Sequence, residues 1–279
     1  MTMRPSTSSD AETDNVTRIQ CWSGPRNVST ALMYAWRQRA DTTVYDEPFY
    51  AHYLNLTARD HPMFDKVVAA QSTDVSEVID EVILGPIDTP VYFMKQMAHH
   101  LHGVPRGWLH RTENILLTRD PRDMLKSLSV QLPDCGLADT GLVEQVELLD
   151  AVLNDGGSPV VIDSRLLLED PAGVLARVCE RLSLEFDDAM LSWPAGPKPE
   201  DGVWAPAWYA SVHTYRLFAV SALKPPDTGS PRPDPRRGAP ALRTPARVRA
   251  LTAALVRGRS AATYRTSLRR CGLLRRLER

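Results

Sequence analysis

The sequence predicts an α/β fold of three layers, with a central parallel sheet covered by helices on both faces. Three observations predict it. Five short apolar runs, rich in β-branched and aromatic residues, alternate with stretches that carry apolar residues at helical spacing; that alternation is the signature of strands joined by helical crossovers. Gly, Pro, Ser, Asn and Asp cluster just after several of these runs, where the chain must turn. The residues best suited to chemistry also fall there, and open parallel sheets bind ligands at the carboxyl ends of their strands. At 279 residues and 43% hydrophobic content, the chain can build one large domain with an appendage.

Val16–Trp22 reads as the first strand, and Ser23–Asn27 as the turn that ends it. Val28–Arg39 follows as a helix, with Ala31, Leu32, Ala35 and Trp36 on one face. Thr42–Asp46 is the second strand, stopped by Pro48, which cannot donate to a ladder. A helical region spans about Pro62 to Leu84. Pro90–Met94 and Asn114–Thr118 are the third and fourth strands, and Pro121 opens the next helix at a favoured early position. Leu142–Leu153 is a helix on period, Pro159–Asp163 the fifth strand, and Pro171–Leu182 another helix.

The ends differ from this core. Residues 1–15 are polar with nothing apolar to bury, which predicts disorder and no secretory signal. The domain spans 16–222. Residues 223–279 form a Pro/Arg-rich basic tail whose composition suits solvated chain rather than a tether to nucleic acid or acidic lipid. Net charge is −1, so charge balance gives no argument for a nucleic-acid partner. No run approaches the roughly 18 apolar residues of a membrane span. The four cysteines are scattered without metal-type pairing, and Cys21 and Cys179 sit in apolar runs as core residues. A reduced, cytoplasmic setting is the expectation.

The first strand runs into Ser23-Gly24-Pro25-Arg26-Asn27-Val28-Ser29-Thr30 and then a helix. Amides at a helix N-terminus are unpaired, and the helix dipole favours an anion there. Arg26 adds a permanent charge and a fork of donors; Ser29 and Thr30 add hydroxyls. Simple capping by Asn27 or Ser29 is the plainer alternative. The ATP pattern G-x-x-x-x-G-K-[ST] is absent, which disfavours an ATP–Mg²⁺ site. The fourth strand ends in Thr118-Arg119-Asp120-Pro121-Arg122-Asp123, with Ser127 eight positions after Arg119. An Arg, a helix start and a hydroxyl there suit a second anion. A donor with two separated anionic groups, such as 3′-phosphoadenosine 5′-phosphosulfate (PAPS), needs both pockets.

On these residues the chain resembles the PAPS-dependent sulfotransferases, whose fold is P-loop NTPase-like. Pro25–Thr30 is similar to their 5′-phosphosulfate loop P-[KR]-S-G-[ST]-T. Arg119 to Asp123 with Ser127 is similar to their 3′-phosphate motif. Leu166–Leu182 is similar to a third, L-x-x-D-P-x-x-x-L-x-x-[IV]-C-x-x-L. Val28 stands where the family usually has Gly, which narrows the loop's backbone options. The resemblance implies PAPS as donor substrate, no metal, and a small-molecule acceptor, foremost a hydroxyl compound. It makes Gly24, Pro25, Arg26, Asn27, Val28, Ser29, Thr30, Arg119 and Ser127 nucleotide-binding candidates. A late loop closes on the nucleotide in this family, which adds Lys198 and makes Trp204 a packing candidate.

Transfer of a sulfuryl group resembles phosphoryl transfer, where positioning and electrostatics supply most of the catalysis. Glu47, ending the second strand in Tyr45-Asp46-Glu47-Pro48, is the candidate base, with Asp46 as a structural neighbour. Lys95, after the third strand, is placed to reach the sulfonate together with Arg26. His99, or its neighbour His100, is the rival base. Phe49–Phe64 and Gln131–Thr140 are irregular segments expected to contact the acceptor. Another nucleotide-dependent phosphotransferase, and a non-catalytic PAP- or nucleotide-binding protein, stand as alternatives.

Overall fold

The computed structural model describes residues 16–214 apart from 131 and 134. The strands are β1 (Thr17–Ser23), β2 (Thr42–Asp46), β3 (Val91–Met97), β4 (Glu113–Thr118) and β5 (Val160–Asp163). They form one parallel sheet in the order β2-β3-β1-β4-β5. The helices are α1 (Ser29–Arg37), α2 (Tyr50–Thr57), α3 (Phe64–Ala70), α4 (Val75–Glu77), α5 (Pro121–Leu128), α6 (Leu142–Asn154), α7 (Ser164–Glu169), α8 (Pro171–Arg181) and α9 (Ala205–Trp208).

Side chains alternate across the sheet, as the two-residue period of a strand requires. Ile19, Cys21, Phe93, Ile115 and Leu117 pack into a core with α1, α2, α7 and α8. Trp22, Tyr92, Met94 and Leu116 face the opposite way, into a second core with α6 and the segment at 78–83. Burial on both faces explains why the strands read as continuous apolar runs. Trp36 stacks on Phe93 with ring centres 5.1 Å apart, and Cys21 and Cys179 are buried. No helix of the described residues is long and apolar enough to cross a membrane.

The structure corrects the expected elements in three places. The helical region expected over Pro62–Leu84 is α3, a break, and then α4 running into a π-helical turn at Val78–Ile83. The break ends where Asp74 accepts the amides of Ser76 and Glu77 and so starts a new helix. The segment Phe49–Phe64, expected to be irregular, contains α2. The third strand, expected to end at Met94, continues to Met97, because Lys95 and Gln96 find polar partners in the interior. The expected disordered residues 1–15, the basic tail at 223–279 and the last part of the expected domain lie outside the described residues.

Candidate active site

β1 lies at the middle of the sheet; the chain leaves it first toward β2 and later crosses it to reach β4. Such a switch point opens a crevice at the carboxyl ends of the strands. A cavity of about 340 Å³ occupies that place, within the size range of small-ligand sites.

The loop between β1 and α1 forms one wall, from Pro25 to Ala31. The first intrahelical bond runs from Leu32 N–H to Val28 O, 3.0 Å, so the amides of Ser29, Thr30 and Ala31 precede the ladder and are available to an anion. Val28 sits at the N-cap with φ 47° and makes no side-chain cap. A β-branched residue in the left-handed region costs roughly 1–2 kcal/mol. That explains why glycine suits the position in the similar motif. Here the Val28 side chain packs against the core, which holds the strained turn in place. Asn27 is not a cap either: its Nδ2 donates to Leu117 O at 2.6 Å, tying the loop to the end of β4. Gly24 is required for another reason. A Cβ there would lie 2.1 Å from Thr140 O, so the backbone packs too closely for any side chain.

The second anion-binding candidate meets the first. Asp120 caps α5 by accepting the Arg122 amide at 2.8 Å, and Pro121 fits the first helical position. This fold-back carries Ser127 to the β1–α1 loop, where Arg26 Nε donates to Ser127 Oγ at 3.2 Å. A guanidinium nitrogen of Arg119 donates to Arg26 O. Arg26, Arg119 and Ser127 all line the cavity.

Across β1, on β2 and β3, the site changes character. Glu47 follows β2 with φ 45°. Its strained backbone is held from three sides: its N–H donates to Lys95 O (2.9 Å), and its carbonyl accepts Tyr50 N–H and Gln71 Nε2 (3.1 Å each). Lys95 is 2% exposed. Its ammonium donates to Asp46 Oδ1 (2.8 Å), to Tyr209 Oη (2.7 Å) and to Glu47 Oε1. An ammonium has three donors, so all of them are taken. Tyr209 in turn donates to Asp46 Oδ2 at 2.6 Å and accepts from Trp204 Nε1 at 3.1 Å. Burial pushes the Glu47 carboxyl up to about 7, with Lys95 pulling the other way and Asp46 reinforcing the rise. Burial opposes charge on Lys95, but Asp46 and Glu47 outweigh it and its pKa is raised.

The remaining walls are aromatic and apolar, including Tyr50, Tyr53, His61, Trp193, Trp208 and Val212. His99 and His100 line the same space and are buried. Burial, with Arg59 and His61 nearby, drives His99 down to about 3, and burial puts His100 well below the ordinary imidazole value. Both rings are therefore neutral. Asp139 closes the far side through an ion pair with Arg59, which joins the two segments expected to contact an acceptor.

The structure thus brings together Pro25–Thr30, Arg119, Ser127, Glu47, Lys95 and His99 around one cavity. Gly24 stands just outside it as a packing residue. Lys198 is not part of the lining; its ammonium donates to Pro194 O and Gly196 O (2.6 Å each) and lies over the Tyr34 ring. Trp204 is buried behind the wall, edge-on to Tyr50, rather than in the cavity. Tyr50 and Tyr53 fall within Phe49–Phe64, the segment expected to contact an acceptor, but sequence reading singles out neither of them, nor Trp208, and it misses Tyr209. The one signal pointing toward Tyr209 is its place in the aromatic, Pro-rich stretch after Gly196.

The sulfotransferase domain family matches residues 17–237. Two Arabidopsis thaliana proteins are similar: branched-chain-amino-acid aminotransferase-like protein 1, 39% identical over 202 residues, and protein 2, 36% identical over 211. These matches cover 72% and 75% of this chain but 36% and 37% of the relatives, so the chain spans little more than a third of their length. Among solved structures, the sulfotransferase domain of the Synechococcus PCC 7002 olefin synthase is 14% identical with a TM-score of 0.46, covering 77% of this chain and 89% of that one. Mouse sulfotransferase SULT7A1 complexed with PAP is 12% identical with a TM-score of 0.42, covering 62% and 61%. On the family match across most of its length, this chain belongs to the sulfotransferase domain family.

Proposed function

We propose that this protein transfers a sulfuryl group from PAPS to the hydroxyl of a small-molecule acceptor. The observation that carries this reading is the convergence of Arg119 and Ser127 on Arg26. It offers one nucleotide two anion-binding positions beside each other, at the ends of β1 and β4. The α1 amides and Arg26 would hold the phosphosulfate; Arg119 and Ser127 would hold the 3′-phosphate. No metal is invoked.

In this mechanism Glu47 takes the acceptor's proton as the acceptor oxygen attacks sulfur. The bond from sulfur to the bridging oxygen breaks, and PAP leaves with that electron pair. Charge gathers on the leaving oxygen, where Arg26 and the α1 amides stabilise it. Lys95 contributes mainly as a fixed charge that orients Glu47, since its three donors are engaged within the protein. A base with a pKa of about 7 is matched to proton transfer near neutrality.

Titration calorimetry with PAP and with ATP–Mg²⁺ tests the donor. PAP is expected to bind at least about tenfold more tightly, by the worth of one charge-assisted contact. Equal or tighter binding of ATP–Mg²⁺ overturns the assignment.

A further inference from the structure

The β2–β3 end of the cavity has a charge and polarity pattern that selects among acceptors. The cationic residues lining the cavity, among the described residues, are Arg26, Arg119 and Lys95, besides the histidines. Arg26 and Arg119 belong to the β1–β4 side, and Lys95 gives its three donors to Asp46, Glu47 and Tyr209. Asp139 is paired with Arg59. Among the described residues, no Lys or Arg side chain lining this end is left to pair with a carboxylate or phosphate on an acceptor, and burying an unpaired charge there is costly. The walls are ring faces and aliphatic side chains, which reward apolar surface.

One polar atom in this wall is aimed at the base. His100 is 2% exposed and its Nδ1 has no hydrogen-bond partner. Buried polar atoms are rarely left so. The ring cannot swing to find one: Tyr50 and Tyr53 stack on it with centroids at 4.6 and 4.8 Å. Nδ1 lies 3.9 Å from Glu47 Oε2, too far for a direct bond. An oxygen placed about 2.8 Å from each atom would bridge them with ordinary hydrogen-bond lengths.

We infer that this end of the cavity binds an uncharged, largely apolar alcohol or phenol, with its hydroxyl held between Glu47 Oε2 and His100 Nδ1. The inference rests on the sulfuryl-transfer reading above. The hydroxyl donates its proton to Glu47 and accepts from Nδ1–H, the tautomer that a facing carboxylate favours. Its second lone pair is then free to attack sulfur. A neutral amine has a single lone pair; once it accepts from Nδ1–H, nothing remains for attack. The arrangement therefore selects oxygen over nitrogen as well as neutral over anionic acceptors. His100 acts as a catalytic residue that holds the nucleophile, with Glu47 as the base.

The protein is assayed with radiolabelled PAPS and four probes: 2-naphthol, 6-hydroxy-2-naphthoate, 2-naphthylamine and N-acetylglucosamine. The expected result is a kcat/KM for 2-naphthol at least about tenfold above each of the others, the worth of one well-made polar contact. Preference for the carboxylate, the amine or the sugar overturns the inference. So does protein that binds PAP and turns over none of the four. Protein that does not bind PAP fails the donor reading itself, a separate result. His100→Phe keeps a stacking ring but removes Nδ1; KM for 2-naphthol is expected to rise about tenfold with the KM for PAPS within about twofold. His100→Asn, which returns a donor near Nδ1, is expected to recover part of the loss. An unchanged 2-naphthol KM in His100→Phe, or an equal loss in both variants, contradicts the role of His100.

Discussion

The two halves of the cavity are built differently. The β1–β4 half is made of short contiguous segments, Pro25–Thr30 and Arg119–Ser127, with charge exposed to the cavity. The β2–β3 half is assembled from distant parts of the chain. Asp46 and Tyr209 meet across 163 positions, and Lys95 and Tyr209 across 114. The first half sets Arg26 and Arg119 on the cavity wall; in the second, Lys95 spends its charge on Asp46 and Glu47. A binding function needs charges that a ligand can reach. A base needs a buried setting that raises its pKa, and burial demands internal partners.

That contrast can be broken most forcefully at Glu47. Glu47→Gln is expected to lower kcat by about 10³-fold, the usual worth of a general base, while PAP affinity stays within about twofold. The wild-type rate should rise with pH through an acid limb near 7, and the variant should lose that limb. Equal loss of PAP affinity would show that the halves are not separable. On the other side, Arg119→Ala is expected to weaken PAP binding roughly 10- to 100-fold, as for a hydrogen bond to a charged group. Calorimetry measures this directly.

The neutral imidazoles give a test through stability. The pKa values of His99 and His100 are lower in the folded protein than the ordinary 6.5, so the unfolded chain takes up protons first as pH falls. Their stabilising contribution is complete above 6.5 and is lost as pH drops below it. Each contributes a slope of about 1.4 kcal/mol per pH unit there. Denaturant melts of wild type and His99→Asn between pH 6.5 and 5 should show the shallower dependence in the variant. Ser127→Ala is expected to cost about 10-fold in PAP affinity, since it removes one hydroxyl donor to a phosphate. Lys198→Ala should change PAP affinity less than about twofold, because its ammonium is held by carbonyls of its own loop; a tenfold loss would move Lys198 into the site.

The same contrast explains what could be read in advance. Strand and helix alternation follows from burial on both faces of the sheet, and the phosphate-binding candidates are local patterns of turn, helix start and charge. The strand Thr42–Asp46 and the helix at Pro121 stand where expected for those reasons. The second half was partly hidden. Lys95 looked like a residue beyond a strand because a lysine inside one needs buried acids, and those acids come from another strand. Helix α2 lacks a side-chain cap, and its first five residues, Tyr50–Leu54, are all buried, so its polar-apolar rhythm is weak. Tyr209 carries no local sign of its bonds to Asp46 and Lys95. Lys198 enters the expected site only through the resemblance to the family's late loop, and nothing in its neighbourhood of sequence indicates that backbone carbonyls satisfy it.

The central claim is that two anion-binding positions grip one nucleotide, and the most direct test compares PAP with AMP, which lacks the 3′-phosphate, by titration calorimetry on wild type and Arg119→Ala. PAP is predicted to bind wild type at least about tenfold more tightly than AMP, and Arg119→Ala is predicted to erase most of that difference. Equal affinity of wild type for the two nucleotides would contradict it.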